Sequence, residues 1–263
     1  FLHSQPIGQK ALLRELLVLI GSTRPDKIEV RKALRDWFDR SWFLDESQDS
    51  ETKAEGGVKP APSTWRLGSR PNLKQMHADA MTGVPDVVVD AKLLEAISKT
   101  TRLRSSASMS VRVHMLPDKP AMVDDDGEFR YVVLGPAAAS DSGKPSAYAR
   151  RFLDETTAAD RPRTNRNAIV LAVPSRDGVE AARQAVREHL GWLAVKDTLE
   201  RDGQTPDYPR QQSLDTYTSG AVSRITDTIV QAYCIVVTVS DQNQAQAFKV
   251  QVGDGPLFTT IKG

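Results

Sequence analysis

The sequence predicts a mixed α/β protein: an N-terminal winged helix-turn-helix followed by an α/β domain with few strands and long helices. Three observations carry this prediction. An amphipathic helix after Asp26 precedes two short strands, the first of them aromatic, the apolar run Ala168 to Val173 feeds a long helix over Gly178 to Leu199, and a second long helical stretch lies within Gln211 to Val239. A buried strand leading straight into a helix is one half of an α/β layer. The expected division is a winged-helix-like domain over residues 1–82 and an α/β domain over residues 83–263.

Bulk properties narrow the function classes. A chain of 263 residues can bury one large core or two modest ones. Its 40% hydrophobic and 26% charged residues match ordinary globular usage, which excludes a largely disordered chain. A formal net charge of +1 provides no global attraction to phosphate backbones or anionic lipid, so any nucleic-acid contact has to come from a local patch. Cys234 is the single cysteine and no Cys/His spacing fits a zinc site, so a reducing, cytoplasmic compartment and no metal are expected. The longest apolar runs, such as Ala232 to Val239, fall far short of the roughly 20 residues that span a bilayer, and no membrane partner is expected. Phe1 to Gly8 hold no initiator Met and no signal-like basic and apolar regions, which reads as a start inside a longer chain.

The elements follow in order. Leu12, Leu13, Leu16, Leu17, Leu19 and Ile20 recur at helical spacing and stop at Gly21. Asp26 is placed to cap a second helix, in which Val30, Ala33, Leu34, Trp37 and Phe38 form an apolar stripe. Trp42 to Leu44 and Ser63 to Leu67 read as strands flanking a polar tip over Asp45 to Pro62; helix, helix, strand, tip and strand is winged-helix order. Helices are expected over Asn72 to Met81 and Pro85 to Ile97, a half-buried strand over Ser110 to Met115, and a buried one over Tyr131 to Leu134. The long stretch within Gln211 to Val239 is read as helical with Cys234 on its apolar part, before a ragged Gln- and Gly-rich C-terminus.

Catalytic patterns do not emerge. No phosphate-binding loop of the form G-x-x-x-x-G-K-[ST] occurs; Ser142-Gly143-Lys144-Pro145-Ser146 comes nearest, with Pro in place of the hydroxyl, and is read as an ordinary loop. There is no G-x-S-x-G or H-E-x-x-H, and His3, His77, His114 and His189 are scattered. Asp124-Asp125-Asp126-Gly127 crowds carboxylates, but calcium loops need ligands at alternate positions, so a surface turn is the reading. Cys234 between Tyr233 and Ile235 reads as a structural thiol.

Two basic constellations are the candidate sites. Lys27, Arg31 and Arg35 recur every four residues along one helix, flanked by Lys32, with Arg66 and Arg70 near the wing. In a helix-turn-helix that face meets DNA. Glu29, Asp36 and Asp39 interleave with the same cations, so a solvated or protein-binding face is the competing reading. Arg161, Arg163 and Arg166 precede the buried strand and are candidates to face an anion, including a nucleotide phosphate from a neighbouring domain or subunit; a solvated loop whose arginines cap carbonyls is the alternative.

Several segments together resemble one family. Phe1 to Leu44, Trp65 to Gly68 followed by Pro71-Asn72-Leu73, the strand Arg166-Asn167-Ala168-Ile169-Val170-Leu171 and the helix segment Leu190-Gly191-Trp192-Leu193-Ala194 are similar to the C-terminal half of large AAA-type ATPases of the domain-of-unknown-function 499 family. That family is associated with phage-defence loci and resembles the ATPases of bacteriophage-exclusion systems. The resemblance implies an upstream P-loop ATPase module in the same chain, ATP and magnesium for the full-length protein with no cofactor in this part, and defence-system proteins as partners. It assigns no catalytic residue to any position here. The leading expectation is a non-catalytic accessory region coupling nucleotide state to DNA or proteins; an assembly scaffold built on the long helices is the alternative, and a free-standing enzyme is the least supported.

Overall fold

Asp26 determines where the second helix begins. Its carboxylate accepts hydrogen bonds from the backbone N–H of Ile28 (2.8 Å) and Glu29 (3.2 Å), satisfying two of the donors that a helix start leaves open. The helix so capped, α2, runs Lys27–Arg40 and follows α1 at Leu13–Gly21. Pro25 and the turn bonds from Thr23 and Arg24 to the Ile20 carbonyl separate the two. The computed structural model describes residues 10–44, 61–67, 71–104, 111–158, 160–203, 206, 208–251, 253 and 257. The wing tip expected over Asp45 to Pro62 lies almost wholly outside them, as does Arg70.

The chain divides into two units, Phe1–Val84 with Leu190–Thr218 and Pro85–His189 with Ser219–Gly263. In the first, strand β1 at Ala11–Leu12 pairs antiparallel with β2 at Thr64–Trp65, and Leu67 bridges Leu44 antiparallel. Residues 64–67 thereby tie the start of α1 to the segment after α2. Ala11, Leu16, Leu34, Phe38, Leu44 and Trp65 form the core between them. The strand expected over Trp42 to Leu44 reduces to that single bridge, and β1 was not foreseen: two residues are too few to show a period. Next comes α3 at Leu73–Thr82, capped by Asn72, whose side chain accepts from the Lys74 N–H (2.8 Å).

The second unit opens with α4 at Asp86–Lys99 and is organised by a five-stranded sheet in the order β3-β4-β5-β6-β7. Strands β3 (Arg112–Met115), β4 (Arg130–Val133) and β5 (Ile169–Val173) are parallel, whereas β6 (Ile235–Val239) and β7 (Ala245–Lys249) are antiparallel additions. All four residues of β4 are buried, as expected for a parallel strand covered on both faces. Helix α5 at Ala147–Asp154, capped by Ser146, lies between β4 and β5, and its Phe152 and Leu153 join the sheet's core.

The fold class is thus mixed α/β, as predicted, with two corrections near the C-terminus. Helix α6 spans Arg176–Arg201 and α7 spans Tyr208–Ala232, so the helix expected within Gln211 to Val239 to carry Tyr233 and Cys234 ends before both. Residues 235–239 form β6 instead, because four β-branched residues other than Thr238 (Ile235, Val236, Val237 and Val239) suit a pleated surface better than a helix. The C-terminus expected to be ragged holds β7, whose Ala247 carbonyl accepts from the Gly143 N–H (2.8 Å). Cys234 therefore lies between α7 and β6 rather than on a helix, half-buried. No helix among the described residues is long and apolar enough to cross a membrane.

Candidate functional site

Helix α2 turns Leu34, Phe38 and the half-buried Val30 inward, so its other faces meet solvent. Lys27, Arg31 and Lys32 are exposed, and none of the ion pairs among the described residues uses them. Arg35 departs from the expected stripe. It is only 8% exposed, donates from Nε (3.1 Å) and Nη2 (2.8 Å) to the two Asp39 oxygens, and lies 5.4 Å from the Phe38 ring centroid. A guanidinium held bidentate by its own helix is not offered to a groove. Helical spacing places Glu29, Lys32, Asp36 and Arg40, all exposed, on the side away from Leu34, so the outward face is of mixed charge. Arg66 is half-buried beside Trp65.

The same helical pair exposes apolar residues that a core arrangement does not require. Val18 (77% exposed) and Leu19 (70%) sit in the last turns of α1, and Ile28 (79%) in the first turn of α2. The sequence conceals this: Leu12 to Ile20 is apolar nearly all round, and the buried positions cannot be told from the exposed ones by periodicity.

The second basic constellation is mostly committed to the fold. Arg163, expected to face an anion, is 3% exposed and donates to the carbonyls of Pro120 (3.1 Å), Val123 (3.0 Å) and Asp124 (3.2 Å). Burial lowers its pKa below the usual guanidinium range, against the pull of Asp125 and Asp124. Arg166 pairs with Asp154 and donates to the carbonyl (3.1 Å) and side-chain oxygen (3.0 Å) of Asn243. Both guanidiniums are engaged as donors within the fold, Arg163 by the carbonyls of the 120–124 turn and Arg166 by Asp154 and Asn243, so the carbonyl-capping alternative describes Arg163 better than an anion-facing role. Arg161 remains exposed.

The acidic turn is equally engaged. Asp124 pairs with Arg112 (2.8 Å), Asp126 with Arg130, and Asp125 accepts from the N–H groups of Thr164 (2.7 Å) and Asn165 (2.9 Å). Burial alone would raise Asp125, but these amides and nearby Arg163 bring its carboxyl below the usual range. Gly127, at φ +79°, makes the turn that Asp126 then braces with the Glu128 N–H (3.1 Å).

An aromatic ladder in the first unit was missed by the sequence reading. His77 stacks on Trp192 (4.0 Å between centroids), Trp192 on Tyr217 (4.8 Å), and Lys74 Nζ lies 5.9 Å from both the Tyr217 and the Phe38 centroids. Phe38 in turn meets Trp65 edge-on at 5.8 Å, and Trp37 stacks on Trp65. Gly191 permits the approach: a Cβ there would stand 2.8 Å from Met81 and 2.9 Å from His77. The signal was the Gly191-Trp192 pair inside a helix, which points to a close neighbour once a partner helix is known. No family model, curated protein or solved structure matches the chain.

Proposed function

We infer that the chain is a non-catalytic coupling region of a larger, cytoplasmic, ATP-driven protein linked to phage defence, with a winged-helix-like N-terminal unit that engages a macromolecular partner. The observation that carries the coupling role is that α6 and α7 each supply residues to both units: α6 to the second through His189 and to the first from Leu190, α7 to the first through Thr218 and to the second from Ser219. A continuous helix is a physical path along which a change can travel. The best-placed charged groups support the rest of the reading, since Arg163, Arg166 and Asp125 are held in structural bonds. ATP and magnesium belong, on this reading, to the upstream module. Hydrogen exchange tests the relay: Gly178→Leu, at the start of α6, should change protection of α3 and of the 190–218 segment. Exchange altered only near residue 178 would overturn it.

Between DNA and protein as the partner, the mixed outward face of α2 and the withdrawal of Arg35 favour protein. The exposed Lys27, Arg31 and Lys32 are the observation in favour of DNA, and a salt-titrated anisotropy measurement with duplex DNA decides it. On the protein reading, joint reversal of these three to Glu leaves a weak, nonspecific signal unchanged; a loss of affinity with a shallower salt slope identifies DNA.

A further inference from the structure

We propose that the turn joining α1 to α2 is a docking surface for an acidic amphipathic helix of a partner protein. The proposal deepens the protein-binding reading above and rests on it. Its apolar element is Val18, Leu19 and Ile28, each at least 70% exposed and all within one helix–turn–helix segment of eleven residues. Single exposed hydrophobics need no explanation, but three within eleven residues, at the adjoining ends of two consecutive helices, give this segment the apolar element of a contact surface.

Charge selects the occupant. Residues 14–32 contain five cations, Arg14, Arg24, Lys27, Arg31 and Lys32, all exposed, against three carboxylates. Two of those carboxylates are engaged by backbone amides: Glu15 accepts from the Leu12 N–H (3.0 Å) and Asp26 from Ile28 and Glu29. Glu29 is the remaining acid. Helical spacing places Arg14 one turn before Val18 on α1, and Arg31 and Lys32 one turn after Ile28 on α2, so cations flank the apolar residues. An apolar centre with a cationic rim complements a helix with leucine-like side chains on one face and carboxylates beside them. Nucleic acid has no apolar stripe to cover Val18, Leu19 and Ile28, which is why a protein helix is the better fit.

The test is binding of a labelled, designed helix of about 20 residues with Leu at i, i+3, i+4 and i+7 and Glu elsewhere, compared with the same helix carrying Lys for Glu. The full chain is used, and variants are first checked for unchanged thermal unfolding. Expected are binding of the acidic helix, weakening with salt, and about tenfold loss for both Val18→Ser/Leu19→Ser/Ile28→Ser and Lys27→Glu/Lys32→Glu. The exposed positions make both variants compatible with folding. No binding of the acidic helix, equal binding of the basic one, or affinity unmoved by either variant would overturn the proposal. So would binding of duplex DNA or anionic vesicles that the serine variant leaves intact. Altered hydrogen exchange confined to residue 178 bears on the relay alone, so failure of the docking surface and failure of the coupling role give different results.

Discussion

Arg163 and Arg161 stand two positions apart, carry the same charge and have opposite fates, and sequence offers no means to separate them. Arg163 organises the 120–124 turn through three carbonyls, so Arg163→Leu leaves buried acceptors without donors and should cost about 3 kcal/mol. Arg161→Leu, on an exposed side chain, should stay within about 0.5 kcal/mol. Urea unfolding of the two variants checks the difference, and equal effects would contradict the assignment. Two glycines make a second pair. A Cβ on Gly178 would stand 2.6 Å from the Ala232 Cα, a backbone atom, whereas nothing lies within 4 Å at Gly220. Gly178→Ala should therefore destabilise by about 1–3 kcal/mol, and Gly220→Ala, inside α7, should stabilise by about 0.5–1 kcal/mol. The same sign for both would be a failure.

Two histidines make stability depend on pH. Burial lowers the pKa of His189, with Lys92 adding to it, and lowers that of His114, where Asp124 opposes and Arg130 and Arg112 assist. The folded state therefore binds fewer of these protons than the unfolded state, in which histidine titrates near 6.5. The stability they preserve is complete above that pH and is lost as pH falls below it toward the depressed folded values. Urea midpoints should decline below about pH 6.5, and His189→Gln should flatten the decline. An unchanged slope in that variant would assign the effect elsewhere.

At the scale of elements, legibility followed the strength of the local signal. α2 was readable because Asp26 caps it and Val30, Leu34 and Phe38 define its buried stripe. Removing the cap with Asp26→Ala should cost about 1 kcal/mol, read by thermal unfolding; a negligible change would mean that packing alone sets the helix start. β5 and α6 were readable as an apolar run and a long periodic stretch. β6 was not, because Ala232 to Val239 is apolar apart from Thr238 and helix and strand patterns coincide in such a run; the β-branched residues were the signal to weigh. β1 and α5 were too short to show a period. For the candidate site, spacing alone identified the cations of α2, but not which of them stays in solvent. Arg35 is lost to Asp39 four residues on, an interaction the sequence permits without deciding. The aromatic ladder joins residues from α2, α3, α6 and α7, and such long-range meetings are invisible along the chain.

For the whole molecule, the five-stranded sheet organises the second unit and a small apolar core the first, and on the proposals above function depends on what α6 and α7 transmit and what the α1–α2 segment holds. Arg163, Arg166 and Asp125 are consumed in tying the 120–126 turn, the segment before β5 and the end of α5 to one another, which is the behaviour of a framework. On the function proposed above, chemistry belongs to a module outside these residues, and the coupling role stands or falls on that separation. The most direct measurement is therefore ATP turnover by the purified chain in the presence of magnesium. Turnover at the level of the buffer is the predicted result; sustained hydrolysis abolished by a point substitution within these residues would contradict it.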